Sequence, residues 1–308
     1  MNYGLSIDSQ ENGTCATLIP LFDTGLEDLD LKKFQSDYLN APPLKLVDIL
    51  HTPQEQKLFK NNMIFTILRI IVKYGGPGFN KFEKDFEEHQ PYSTEKIPVH
   101  FTNLHPLPSW NIDESSIVGN AEVDEAIVKE LGLDSQGIPG AADRVRFLGG
   151  DQLSLARLRA LEFIRAGQEE GYEGFFWGVW IPGLFHAKIA DAHGTLLNHF
   201  GKPESAAQSP WTLGFQNSRL DRLPITLTSL PTFRTSRDLI FVSLYAHVLH
   251  CLCLTLKFSS LEEYTLKVDK WETLVQHATN ILQDYANSAL VYELRSQRAE
   301  SLEEQEHD

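Results

Sequence analysis

The sequence predicts an α/β fold, and three observations predict it. Between residues 145 and 200 a short apolar run, a helix-spaced segment, a second apolar run and a second helix-spaced segment follow one another. A strand, helix, strand, helix succession implies parallel strands joined by a crossover helix. On either side, residues 26–74 and 236–298 carry apolar side chains at three- and four-residue spacing, so large helical parts flank the α/β piece. A 308-residue chain with 42% apolar and 22% charged residues is long enough, and ordinary enough in composition, to bury a sizeable core.

Taken in order, residues 14–19 are short, β-branched and bounded by Gly13 and Pro20, which predicts a strand. Residues 26–38 and 44–74 predict helices, interrupted at Ala41-Pro42-Pro43 and ended by Gly75-Gly76-Pro77-Gly78. The polar stretch 81–95 reads as a surface excursion or linker. Residues 97–101 predict a strand, the Pro-rich piece 105–108 a loop, and residues 123–131 a helix ended by Gly132. Residues 145–148 form the next strand, broken by Gly149-Gly150, and residues 153–165 a helix with Leu155, Leu158 and Leu161 on one side. The run 175–181 (FFWGVWI) predicts a buried strand closed by Pro182-Gly183. Residues 184–200 follow as a helix with Phe185, Ile189, Ala192, Leu196 and Phe200 in one stripe and Gly201 as its C-terminal cap. Three helices are predicted over 236–298, with a break at Ser259-Ser260. One domain over residues 1–300 is expected, in three stretches: 11–92 (strand plus helical insertion), 93–203 (α/β core) and 204–298 (helical). The acidic tail 299–308 is expected to be disordered.

Charge narrows the partners. With 42 acidic against 27 basic residues, non-specific attraction to phosphate backbones or anionic membranes is disfavoured. Residues 239–256 contain no formally charged side chain and approach the length of a membrane span. His247, His250, Tyr245 and Ser243 interrupt them and no basic cluster flanks one side, so a core helix is expected instead, with no membrane partner. Three cysteines (Cys15, Cys251, Cys253) make no disulfide framework, and the first residues lack a charged-then-apolar leader pattern. The expected location is intracellular, in cytoplasm or nucleus, and the Asn12-Gly13-Thr14 sequon is idle.

The candidate chemistry centres on Asp151. A carboxylate after a strand and a Gly-Gly break would sit at the C-terminal edge of a sheet, where open α/β folds place ligands. The structural alternative is that Asp151 caps the helix that follows. His186 and His193, seven residues apart, share a helix face, as metal or phosphate ligands or as hydrogen-bonded structural histidines. His247, His250, Cys251 and Cys253 offer imidazole and thiol ligands on one helix, or simply a core helix with two small thiols. Arg157 and Arg159 are candidate nucleic-acid contacts, or a solvated helix face. Residues 194–203 lack the spacing and the Ser or Thr of a P-loop, and no GxSxG elbow is present.

The stretch Val145-Arg146-Phe147-Leu148-Gly149-Gly150-Asp151-Gln152-Leu153, then Arg157-Leu158-Arg159, then Trp180-Ile181-Pro182-Gly183-Leu184-Phe185-His186 resembles the core signature of a fungal family, domain of unknown function 6589. Glu11-Asn12-Gly13-Thr14-Cys15-Ala16-Thr17-Leu18, Pro106-Leu107-Pro108 and Ser236-Arg237-Asp238-Leu239-Ile240-Phe241 add to the resemblance. It implies a transposon-associated protein with an RNase H-like mixed sheet, crossover helices and helical insertions. In such enzymes two or three carboxylates hold paired magnesium ions that activate water and stabilise the leaving oxygen of a phosphodiester. By the resemblance Asp151 is the metal ligand, His186 sits near it, and DNA is the partner. The acids expected before and after it are missing from this sequence, and one carboxylate cannot hold two metals. The expectation is therefore a truncated, catalytically inactive transposase derivative; the other class of reading is a non-enzymatic helical scaffold or protein-binding domain.

Overall fold

The computed structural model describes residues 13–91, 97–133, 143–167, 174–202 and 209–307, with side chains described as far as residue 298. In chain order the elements are β1 (Thr17–Leu18), α1 (Leu31–Asn40), α2 (Leu46–Ile49), α3 (Pro53–Tyr74), α4 (Glu83–Glu88), β2 (His105–Pro106), α5 (Ile117–Glu130), β3 (Arg146–Gly150), α6 (Gln152–Arg165), β4 (Gly178–Pro182), α7 (Leu184–His199), α8 (Leu213–Arg219), α9 (Phe233–Leu256), α10 (Leu261–Lys267), α11 (Trp271–Tyr285) and α12 (Ser288–His307). The chain is mostly helical, and its described strands form two sheets of two strands each. Two compact units emerge, residues 1–43 with 97–190 and residues 44–96 with 191–308. The boundaries expected near residues 92 and 203 lie outside the described residues.

In the first unit β1 pairs antiparallel with β2, and β3 pairs in parallel with β4 in the register Arg146 to Gly178 through Gly150 to Pro182. Helix α6 is the crossover between the parallel strands. Its Leu155, Leu158 and Leu161 fall at three-residue spacing and pack with Val128 of α5 and with Phe175, Trp177 and Trp180. Glu162 accepts the Trp180 indole N–H at 3.0 Å, which satisfies the one polar atom of that buried ring. Helix α5 starts at Ser116, whose hydroxyl accepts the Gly119 N–H at 2.9 Å. Gly119 is required there, because a Cβ would collide with the Asp113 carbonyl oxygen.

In the second unit α3 contributes Ile67, Leu68, Ile70, Ile71 and Val72 to a core completed by Phe79, Phe82, Phe86, Leu252, Tyr264 and the inner face of α11. That face, Trp271, Leu274, Ala278, Ile281 and Leu282, repeats every three to four residues, as burial of one helix stripe demands. Tyr264 is fully buried, and its hydroxyl lies 2.8 Å from His277 Nδ1.

Several expectations differ from the structure for physical reasons. Residues 97–101 form no strand: Ile97, Val99 and Phe101 alternate correctly but are exposed and have no strand beside them. The second strand is instead at His105–Pro106, in the piece read as a loop, where Pro106 tolerates an edge position because it needs no ladder donor. Part of the stretch read as a polar excursion is core, since Phe82 and Phe86 are buried and Glu83–Glu88 is helical. The FFWGVWI run is only half strand. Phe175 sits at φ 58°, so the chain turns there, and Phe175 and Trp177 are buried in a turn before β4 begins. The long helix expected over 44–74 is two, because Thr52 and Glu55 form a reciprocal cap with Pro53 at the first helical position. Four helices, α9 to α12, replace the three expected after residue 236; the break at Ser260 holds, its hydroxyl accepting the Glu263 N–H. Helix α9 is long and apolar enough to cross a bilayer by length and composition. It is buried only in part, with Leu239 and Leu252 covered in two different clusters and Phe241, Val242 and Leu244 exposed. The backbone of α12 includes residues of the acidic tail, whose side chains lie outside the description.

Candidate functional site

Because β3 and β4 run parallel, both deliver the chain to the same edge, β3 through Asp151 into α6 and β4 through Gly183 into α7. The Gly183 N–H donates to the Gly150 carbonyl at 2.7 Å, tying the two exits together. A Cβ on Gly183 would come within 3.0 Å of that same oxygen, so glycine permits the closeness.

Asp151 occupies the N-cap of α6 in extended backbone, φ −73° and ψ 173°, and its Oδ1 accepts the Ser154 N–H at 2.7 Å. This is the reciprocal of an orphan donor in the first turn of any helix, which a cap carboxylate satisfies. The Ser154 backbone N–H first, then the Ser154 hydroxyl and more weakly His186, hold the Asp151 carboxyl below the usual carboxylate range. His186 lies in the first turn of α7, exposed, with its ring edge-on to Phe185 at 6.0 Å. The structure thus brings Asp151 and His186 to one edge.

The arginines are not gathered there. Arg157 donates from Nη1 to the Glu114 carbonyl at 2.7 Å, and Arg159, two positions on, leaves the helix about 200° around from it. His193 is elsewhere too, its Nε2 donating to the Pro231 carbonyl at 3.1 Å. On α9, His247 faces Gln216 and the Trp211 ring and is held below its ordinary value chiefly by burial, while Cys251 is core and His250 is exposed. Among the described residues no group of three or more His, Cys, Asp and Glu side chains is placed to hold a metal ion. The donors at the strand edge do not fit paired magnesium ions, which take oxygen ligands in octahedral geometry. One carboxylate already engaged by a helix start, beside an imidazole, is a different set.

A further acid was passed over in the sequence. Asp124 on α5 is 3% exposed, and its Oδ2 has no hydrogen-bond partner among the described residues. Burial pushes its carboxyl up to about 7. The signal was there: Asp124 shares a helical face with Ile127, Val128 and Leu131, where an apolar residue belongs. Strand-edge acids such as Asp151 have a functional precedent, whereas mid-helix acids usually face water.

Fold and site together define a mostly helical protein with a small parallel strand pair and a capped acid at its edge. The model of the family of unknown function DUF6589 matches residues 39–308, and the chain belongs to that family. No curated protein and no solved structure matches the chain.

Proposed function

We propose that this chain works by binding and not by turnover, as a helix-rich interaction domain in which Asp151 is a structural cap. The observation that carries this is the 2.7 Å bond from the Ser154 N–H to Asp151 Oδ1, which commits the acid to its own helix. Net charge supports a protein partner over nucleic acid, since −15 opposes accumulation on phosphate. Arg157 supports it as well, its guanidinium being used on a carbonyl of the same unit.

A second reading keeps descent from an RNase H-like transposase, with Asp151 as a surviving metal ligand and DNA as partner. One observation favours it: Asp151 and His186 open at the same end of a parallel strand pair, in the order the sequence resemblance implies. The two readings separate in one experiment on the full chain. Labelled single-stranded, duplex and branched DNA is incubated with the protein and Mg²⁺ or Mn²⁺, and the unfolding of Asp151→Ala and Asp151→Asn is measured in parallel. Binding without chemistry predicts no cleavage, about 1 kcal/mol lost in Asp151→Ala and only a few tenths in Asp151→Asn, because Asn caps as well as Asp. Metal-dependent cleavage that disappears in Asp151→Asn overturns the proposal in favour of the second reading.

A further inference from the structure

The first unit contains a cavity of about 580 Å³, bounded by residues 15–21, which carry β1, by α5 and by β3. That volume is typical of sites for small organic molecules. Its walls are aliphatic, with Leu18, Ile127, Val128, Leu133 and Leu148 among them, and Trp177 adds an aromatic surface. Asp124 also lines it, and this is what separates the cavity from a packing defect. A buried carboxyl oxygen left without a donor costs free energy, and native proteins keep few such groups. An apolar space with one unpartnered acid in its wall is complementary to an apolar molecule with one donor.

We propose that this cavity binds a small apolar molecule bearing a protonated amine, with the ammonium donating to the Asp124 carboxylate and the hydrocarbon body lying against the aliphatic wall. A cation suits the acid better than a neutral hydroxyl does, because a charge-assisted hydrogen bond is about twice as strong as a neutral one. The protein's own cation is otherwise engaged. Arg146, the other charged lining residue, places its guanidinium over the Trp177 ring at 5.9 Å and donates to the Arg144 carbonyl at 3.4 Å. Among the described residues, the rest of the lining carries no formal charge. Cys15 is the one further titratable lining residue, and α6 presents Leu155, Leu158 and Leu161 towards α5. One turn earlier on α5, Asn120 is spent on the Glu114 and Ser116 carbonyls.

The test is calorimetric titration of the full chain at pH 8 with 2-phenylethylamine and cyclohexylmethylamine, each beside its matched alcohol. The amines bind at least about tenfold more tightly than the alcohols. Asp124→Asn removes that advantage and leaves alcohol binding as it was, and Leu133→Trp, which fills the cavity from its wall, removes both. Below the pH at which Asp124 takes up its proton, amine affinity falls about tenfold per unit, because the ligand must displace that proton. Amines and alcohols binding alike, no binding of either to the folded chain, or amine binding that survives Leu133→Trp each overturn the proposal. Should Asp124→Asn fail to fold, the pH dependence and Leu133→Trp decide the matter.

Discussion

At neutral pH and above, replacing Asp124 by Asn should stabilise the protein, and the effect should grow as pH rises through the folded value. Folding raises the Asp124 carboxyl from 3.8 to about 7, through burial. A raised acid means that the fold accommodates the protonated form: the stability associated with it is fully present below the unfolded value and is lost as pH rises through the folded one. The shift is about three units at about 1.36 kcal/mol each, so roughly 4 kcal/mol disappears between pH 4 and pH 7. Asn carries no charge at any of these values. It keeps the shape and still lacks a partner, which adds a constant offset of about 1–3 kcal/mol that pH does not move. Urea unfolding of both proteins at pH 5, 6, 7 and 8 should therefore show the difference, variant minus wild type, rising by about 2 kcal/mol between pH 5 and pH 7 and then levelling. A difference that is flat across that range would show that Asp124 is solvated or paired, and would refute the reasoning about its surroundings.

Other outcomes follow from single contacts. Gly119→Ala should cost about 3 kcal/mol, since the added methyl meets the Asp113 carbonyl; chemical denaturation measures it, and parity with wild type would mean that the α5 start relaxes freely. Leu274→Ala, at a position with no exposed surface, should lose about 2–5 kcal/mol in the same assay. Tyr264→Phe should cost about 1 kcal/mol by removing the hydroxyl that meets His277, and a double variant with His277→Phe should cost less than the two singles added.

The sequence made the centre of the first unit legible because there the local signals agree. An apolar run before an acid, then leucines every third residue, left little choice but a strand, a cap and a helix; Asp151 and α6 are found where expected, while β3 runs on through the two glycines expected to break it. It was misleading where burial comes from tertiary context. Phe82 and Phe86 sit among charged neighbours yet are core, and Val99 and Phe101 alternate like a strand yet face water. No local pattern distinguishes those cases, since each depends on what lies opposite. The site was legible in position and not in chemistry: Asp151 and His186 do share an edge, while the residue with the most unusual surroundings, Asp124, lies inside a predicted helix as a single acid on its apolar face.

The pairing of Thr17 with Pro106 also constrains how the chain is made. During synthesis at about 5–20 residues per second, β1 leaves the ribosome several seconds before its partner exists. Residues 44–96, which belong to the other unit, emerge in between. The first unit is thus assembled around an interruption, and its nascent start must stay unpaired until that whole excursion has been translated.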